Sequence, residues 1–170
     1  VFEVEITPNG VQAGLSRGGH RLAFIAGSDN HCSQPGATGG LAAVYAPSLT
    51  REEVWKGLYH RVTYATSGAR ILLNFEINGH RMGEEFTAQS SPHLEAKVIG
   101  TAPIERLEVV KGWGGARIPL PAVHTEEPLT DVCQLDWKDS SFTRDSFYYI
   151  RVTQMDGERA WSSPIWVNHP

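Results

Sequence analysis

After Gly68 the hydrophobic pattern switches to a period of two, and that switch limits the fold more than any other feature of the chain. Leu73, Phe75 and Ile77 alternate with Asn74, Glu76 and Asn78. Leu94, Ala96 and Val98 alternate with Glu95 and Lys97, and Leu107 and Val109 with Arg106 and Glu108. Cys133, Leu135 and Trp137 alternate with Gln134 and Asp136, and Tyr148, Ile150 and Val152 lead toward the end of the chain. Such alternation places apolar side chains on one face of a pleated strand and wet ones on the other. Asn78-Gly79 and Asp156-Gly157 are two-residue hairpin signals between such runs. Consecutive half-wet strands with regular turns, over roughly a hundred residues, predict an antiparallel β-sandwich of immunoglobulin-like size across residues 69–170.

Residues 1–68 read differently. Val11 to Arg17 is a short helical stretch stopped by Gly18-Gly19. Leu22-Ala23-Phe24-Ile25-Ala26 is a continuous apolar run, the pattern of a strand buried on both faces as in a parallel sheet. Thr50-Arg51-Glu52-Glu53 is a capping box, in which Thr50 and Glu53 satisfy each other's free backbone N–H groups. Val54, Trp55, Leu58 and Tyr59 follow on one helical face. The fold class is therefore α+β, mostly β, with a few strand-helix units ahead of the sandwich.

At 170 residues, 41% hydrophobic and 20% charged, the chain can bury a core without staples. A net charge of −4 argues against the basic footprint of a nucleic-acid or anionic-membrane binder. No apolar run approaches the length of a bilayer span. Two cysteines, Cys32 and Cys133, exclude a disulfide scaffold and leave the compartment open. The chain opens on Val1 with no signal peptide, and we expect it to be part of a longer protein.

Asp29-Asn30-His31 is the one constellation with chemistry in it. Residues two apart in an extended segment share a side, which would turn Asp29 and His31 toward one pocket past the carboxyl end of the Leu22–Ala26 strand. A carboxylate and an imidazole suit zinc, manganese or iron. By spacing alone, a turn-capping Asp29 and a surface His31 account for the same residues, because two ligands do not complete a metal site. Alternation points Cys32 the other way. His20, His60, His80, His93, His124 and His169 are scattered through turns and segment ends, and read as surface residues. Arg61, Tyr64, Thr66 and Arg70 stand between the helix and the sandwich. Arg61, Tyr64 and Arg70 could grip an anionic small molecule, and a junction between two segments explains them as well. Of the five tryptophans, Trp113 in Gly112-Trp113-Gly114-Gly115 is the one whose turn offers no core position.

The run from Leu22 to Gly36 resembles the last metal-ligand motif of the PHP superfamily, named for polymerase and histidinol phosphatase, and within it the DUF3604 branch. The resemblance continues through Gly40 to Ala46, Leu49 to Glu52, Arg61 to Ile71, Asn78-Gly79, Met82-Gly83, Asp156-Gly157 and Ala160 to Val167. It implies that residues 1–68 are the carboxyl-terminal strand-helix units of an incomplete (β/α)7 barrel. It also implies that Asp29 and His31 are the final Asp-x-His ligands of a two- or three-metal centre for phosphoester hydrolysis. The chain contains no His-x-His pair, so the other ligands would come from the missing amino-terminal barrel portion.

The expected function is thus the carboxyl-terminal part of a PHP-like metal-dependent phosphoesterase, supplying its last ligand motif. On its own, such a chain would bind metal weakly and show no turnover. The alternative is a β-sandwich binding or accessory module without catalysis of its own.

Overall fold

The computed structural model describes residues 10–18, 20–29, 31, 34 and 36–170. Two helices, α1 (Val11–Gly18) and α2 (Arg51–Tyr59), accompany twelve strands. The strands are β1 (Leu41–Val44), β2 (Thr63–Thr66), β3 (Leu72–Ile77), β4 (His80–Arg81), β5 (Glu85–Thr87) and β6 (His93–Ile99). They continue with β7 (Ile104–Gly112), β8 (Ala122–Glu126), β9 (Val132–Lys138), β10 (Ser146–Gln154), β11 (Arg159–Ser162) and β12 (Ile165–Asn168). None of the described helices is long and apolar enough to cross a membrane.

The smaller sheet runs β4-β3-β6-β9, antiparallel throughout. Its inward residues are those the alternation singled out: Leu73, Phe75, Ile77, Leu94, Val98 and Leu135 are buried, and Asn74 and Glu95 are exposed. The larger sheet is built around β10, which pairs with β7 on one edge and with β11 and β12 end to end on the other. Pro164, which has no N–H to give a ladder, sits in the gap between those two strands. From β11 the sheet continues to β2 and β1, and from β12 to β5. The β12–β5 pair is parallel, an exception to the expected antiparallel order.

The sequence expectations for residues 1–68 need correction. Strands β1 and β2, joined by α2, are antiparallel neighbours, with Leu41 opposite Thr66 and Val44 opposite Thr63. A β/α barrel requires successive strands to run parallel, so no barrel unit is present among the described residues. Instead β2 pairs with β11, and one sheet crosses the boundary between residues 68 and 69. The Leu22–Ala26 run is not a strand either. Only Phe24 is buried, while Leu22 and Ile25 are exposed. The backbone of Phe24 is satisfied by two hydroxyls of the larger sheet: its N–H donates to Ser163 Oγ (2.8 Å) and its carbonyl accepts from Thr63 Oγ1 (3.0 Å).

Helix α1 and Phe24 cover the outer face of the larger sheet, so β10 is buried on both sides. Tyr148, Ile150 and Val152 face the core between the sheets, and Phe147 and Tyr149 pack with Leu15, Phe24 and Trp166 beneath α1. The buried amide of Gln12 joins the layers, donating to Tyr149 OH and accepting from the Leu120 N–H, each at 2.8 Å.

Helix α2 starts as its sequence predicts, with Thr50 Oγ1 accepting from the Glu53 N–H. The return half of the capping box is replaced by an ion pair, Glu53 accepting from Lys56 Nζ at 2.6 Å. The Asn78-Gly79 turn is left-handed at both residues (φ 51° and 79°), as a tight hairpin needs. The second hairpin is wider than its sequence suggests. Gln154 N–H donates to the Glu158 carbonyl, and only Gly157 of the Asp156-Gly157 pair is left-handed.

One ion pair is sealed inside the sandwich. Lys111 Nζ lies 2.6 Å from Asp139 Oδ2, with side-chain exposures of 7% and 1%. Tyr148 OH donates to the same oxygen at 2.7 Å, and the Ser141 N–H and hydroxyl donate to the other. Burial alone would raise the Asp139 carboxyl; the bonds from Lys111, Ser141 and Tyr148 outweigh it and hold the pKa below the ordinary value. Burial and the neighbouring carboxylate push the Tyr148 hydroxyl up.

A carboxylate depressed on folding contributes stability that is complete above its unfolded pKa of about 3.9 and is lost as pH falls through the folded value. We expect urea-unfolding free energies to decline below about pH 4 in the wild type and to lose part of that slope in Asp139→Ala. At pH 7, Asp139→Ala should cost about 3 kcal/mol, because Lys111 is left buried without its partner.

Candidate functional site

Asp29 and His31 stand at the exposed tip of the segment that carries Phe24 onto the sheet. His31 Nε2 lies 3.2 Å from Asp29 Oδ1, with side-chain exposures of 85% and 90%. The two side chains do share a direction, but not through strand alternation. Both residues are left-handed, at φ 51° and 54°, so the backbone curls and brings the side chains together. Asn30 and Cys32 lie outside the described residues, and so does the expected orientation of the Cys32 thiol.

Two ligands about 2.1 Å from one ion sit roughly 3.0–3.4 Å apart in octahedral or tetrahedral geometry. The separation of 3.2 Å between Asp29 and His31 fits that edge. The pair can therefore supply two neighbouring ligands of one ion. Among the described residues no group of three His, Cys, Asp or Glu side chains is gathered for a metal.

The tip rests on a stack of backbone segments that glycine makes possible. A Cβ at Gly40 would come 2.8 Å from Ala26 Cβ, and one at Gly39, where φ is 74°, would come 2.9 Å from Ser28 Cα. A Cβ at Gly68 would lie 3.0 Å from the Gly39 carbonyl. Beyond Gly68, the Glu158 carboxylate accepts from Ser67 Oγ and from the Ala69 N–H. Ser67 also exchanges backbone and side-chain bonds with Arg159. Sequence reasoning passed over Ser67 and Glu158. The one available signal was that each adjoins a glycine turn, Ser67-Gly68 and Gly157-Glu158.

Arg61 and Tyr64 take structural places. Arg61 Nε donates to the Gly83 carbonyl at 3.1 Å, and its guanidinium stacks on Trp166, which carries Arg21 as well (5.7 and 5.2 Å to the ring centroid). Gly83 is left-handed, and a Cβ there would run into the His60 carbonyl and Arg61. Tyr64 is buried, its hydroxyl donating to the Ile71 carbonyl at 3.0 Å and its pKa raised by burial. Arg70 is exposed ahead of β3. Among the described residues, no hydrogen bond or ion pair joins any of these three to Asp29 or His31.

Trp161 and Trp166 are buried and Trp137 partly so, whereas Trp113 is half-buried with Arg144 over its ring. Trp55 departs from expectation. It is 65% exposed, and Leu49, Leu58 and Tyr59 beside it on and before α2 are exposed too. Several of the other histidines have partners: His60 meets Tyr59 edge to face, His80 stacks on Phe86, His124 stacks on Trp137, His169 lies against Phe142, and His93 bonds Asp136 at 2.7 Å. Burial raises the Cys133 thiol to about 11, with Glu126 adding to the shift. The wet face of the smaller sheet forms a groove of about 270 Å³ between Glu76, Glu95, Lys97, Gln134 and Asp136, with no aromatic side chain lining it.

Residues 23–89 match the family described as "Protein of unknown function (DUF3604)". An uncharacterized protein of Chlamydia trachomatis is 31% identical over 188 residues, covering 95% of this chain and 29% of the relative. One from Chlamydia pneumoniae is 35% identical over 147 residues, covering 76% and 23%. One from Chlamydia muridarum is 34% identical over 140 residues, covering 76% and 22%. The chain thus spans less than a third of the length of the curated relatives it matches. No solved structure matches.

The close backbone stack gives a direct test. Gly39→Ala should destabilise by more than Gly79→Ala in thermal or urea unfolding. Both positions are left-handed, which alone costs about 1–2 kcal/mol for a residue with a Cβ. Only Gly39 also faces backbone at 2.9 Å; a Cβ at Gly79 meets nothing within 4 Å.

Proposed function

We propose that this chain is the carboxyl-terminal part of a PHP-like, metal-dependent hydrolase acting on a phosphoester. In this reading Asp29 and His31 contribute two ligands and the remaining ligands come from the rest of a longer chain. The observation that carries the reading is the Asp29–His31 pair itself. A carboxylate and an imidazole lie 3.2 Å apart on a curled, glycine-seated tip, both open to receive an ion and further ligands. The relatives' greater length supports the idea that more protein stands beside this segment.

In this role Asp29 brings negative charge and His31 a neutral nitrogen, a donor set suited to zinc, manganese or iron. The bound metal would supply Lewis acidity and a hydroxide nucleophile for attack on phosphorus. Asp29 Oδ1 and His31 Nε2 already lie side by side, so one ion could meet both donor atoms without a large rearrangement of the pair. Arg61, in this reading, anchors α2 to Trp166 and does not grip substrate. Leu22, Ile25, Leu49, Trp55, Leu58 and Tyr59, exposed in the described residues, give the remainder of the longer chain an apolar surface to cover.

The test uses the full-length protein. Asp29→Ala and His31→Ala should each lower the metal content measured by elemental analysis and abolish hydrolysis of a generic aryl phosphodiester, with the thermal midpoint little changed. Cys32→Ala should keep its metal and its activity. Full metal occupancy and turnover in both ligand variants would refute the reading.

A further inference from the structure

We infer that Glu158 is a positioning residue for the Asp29–His31 pair, acting from the far end of the sandwich hairpin. The inference rests on the proposed role of that pair as metal ligands. The path is continuous and short. The Glu158 carboxylate takes the Ser67 hydroxyl and, at 3.2 Å, the Ala69 N–H, so it clasps the turn on both sides of Gly68. The Ser67 hydroxyl in turn accepts from the Arg159 N–H at 2.8 Å, and the Ser67 N–H donates to the Arg159 carbonyl at 3.0 Å. Gly68, held in this way at φ 146°, passes so close to the Gly39 carbonyl that a Cβ there would lie 3.0 Å from it. Gly39 leaves no room for a Cβ beside Ser28, the residue before Asp29, and Gly40 none beside Ala26 and Gly27.

Apart from the Glu158–Ser67 bond, which joins two side chains, the path runs through backbone and has little side-chain slack to absorb a shift. The tip itself lacks such support, since both ligand side chains are almost fully exposed. Their direction depends on where Gly27 and Ser28 are held. Removing Glu158 frees the Ser67–Ala69 turn, and the tip loses its seat without losing a ligand. Groups that hydrogen-bond a metal ligand directly contribute about 10–100-fold to metal affinity, and Glu158, which acts through the backbone, should contribute at the lower end of that range.

The experiment measures Mn²⁺ affinity by calorimetry in the full-length protein, and amide hydrogen exchange over residues 26–29, for four variants. Asp29→Ala should abolish Mn²⁺ binding. Glu158→Ala should weaken it about tenfold and speed exchange at 26–29. Glu158→Gln keeps an oxygen acceptor for Ser67 and Ala69 and should restore both. Asp156→Ala is the control: it breaks the bonds from the Glu158 N–H and from Gln154 Nε2 in the same hairpin but leaves the Glu158 carboxylate in place. It should leave affinity and exchange unchanged. Wild-type affinity and exchange in Glu158→Ala, or equal losses in Asp156→Ala, would overturn the positioning role. If Asp29→Ala kept its Mn²⁺ while Glu158→Ala still sped exchange, the metal reading would fail and the positioning of the tip would stand.

Discussion

Strand β10 is the member on which the rest of the structure depends. Both its edges are paired and both its faces are buried, so every layer of the protein meets it. Tyr148 and Tyr149 show the arrangement most clearly. They are adjacent and both fully buried, yet they point to opposite sides and each hydroxyl needs a partner. Tyr148 finds Asp139 inside the sandwich, and Tyr149 finds Gln12 beneath α1. Asp139 comes from the turn just before β10 and Gln12 from near the start of the described residues, so these two hydroxyls help to fix which segments cover which face.

The amino-terminal segment is held to this frame by directional bonds as much as by packing. Thr63 and Ser163 hydroxyls, 3.0 Å apart, together replace a neighbouring strand for the Phe24 backbone. Phe24 then meets Tyr149 edge to face, with ring centroids 5.2 Å apart. One residue of the apolar run is sunk in this way and its neighbours are left outside. The result is a short arm with a fixed root and an open tip, and the tip carries Asp29 and His31.

The sandwich was legible where one face of a strand is dry and the other wet. Leu73, Phe75 and Ile77 announce themselves against Asn74 and Glu76 because the two faces meet different solvents. The signal fails where that contrast disappears. Tyr149 lies in a continuous apolar stretch because α1 covers the face that would otherwise be wet. Leu22–Ala26 has the same composition but owes its single buried position to hydroxyls far along the chain. Strand β2 pairs with β11 on its other edge, a partner that no pattern within residues 41–66 announces. Helix α2 carried a readable apolar face, but no sequence pattern states what covers Trp55. At the site, the Asp-x-His spacing pointed to two side chains that do lie together, but for a reason that does not hold, since left-handed backbone and not strand alternation brings them together. Glu158 was invisible because its task depends on a contact across sheet and turn.

The way the larger sheet closes also governs when it can close. Strands β2 and β5 lie many residues ahead of their partners in the larger sheet, which come from β11 and β12. Until residues 159–168 have left the ribosome, β2 has only β1 beside it, β5 lacks its partner in the larger sheet, and the hydroxyl of Ser163 is not there to receive Phe24. Late-arriving pairings of this kind slow folding and leave sheet edges open in the nascent chain. The strands made later, β11 and β12, are therefore the ones that lock β2, β5 and Phe24 in place.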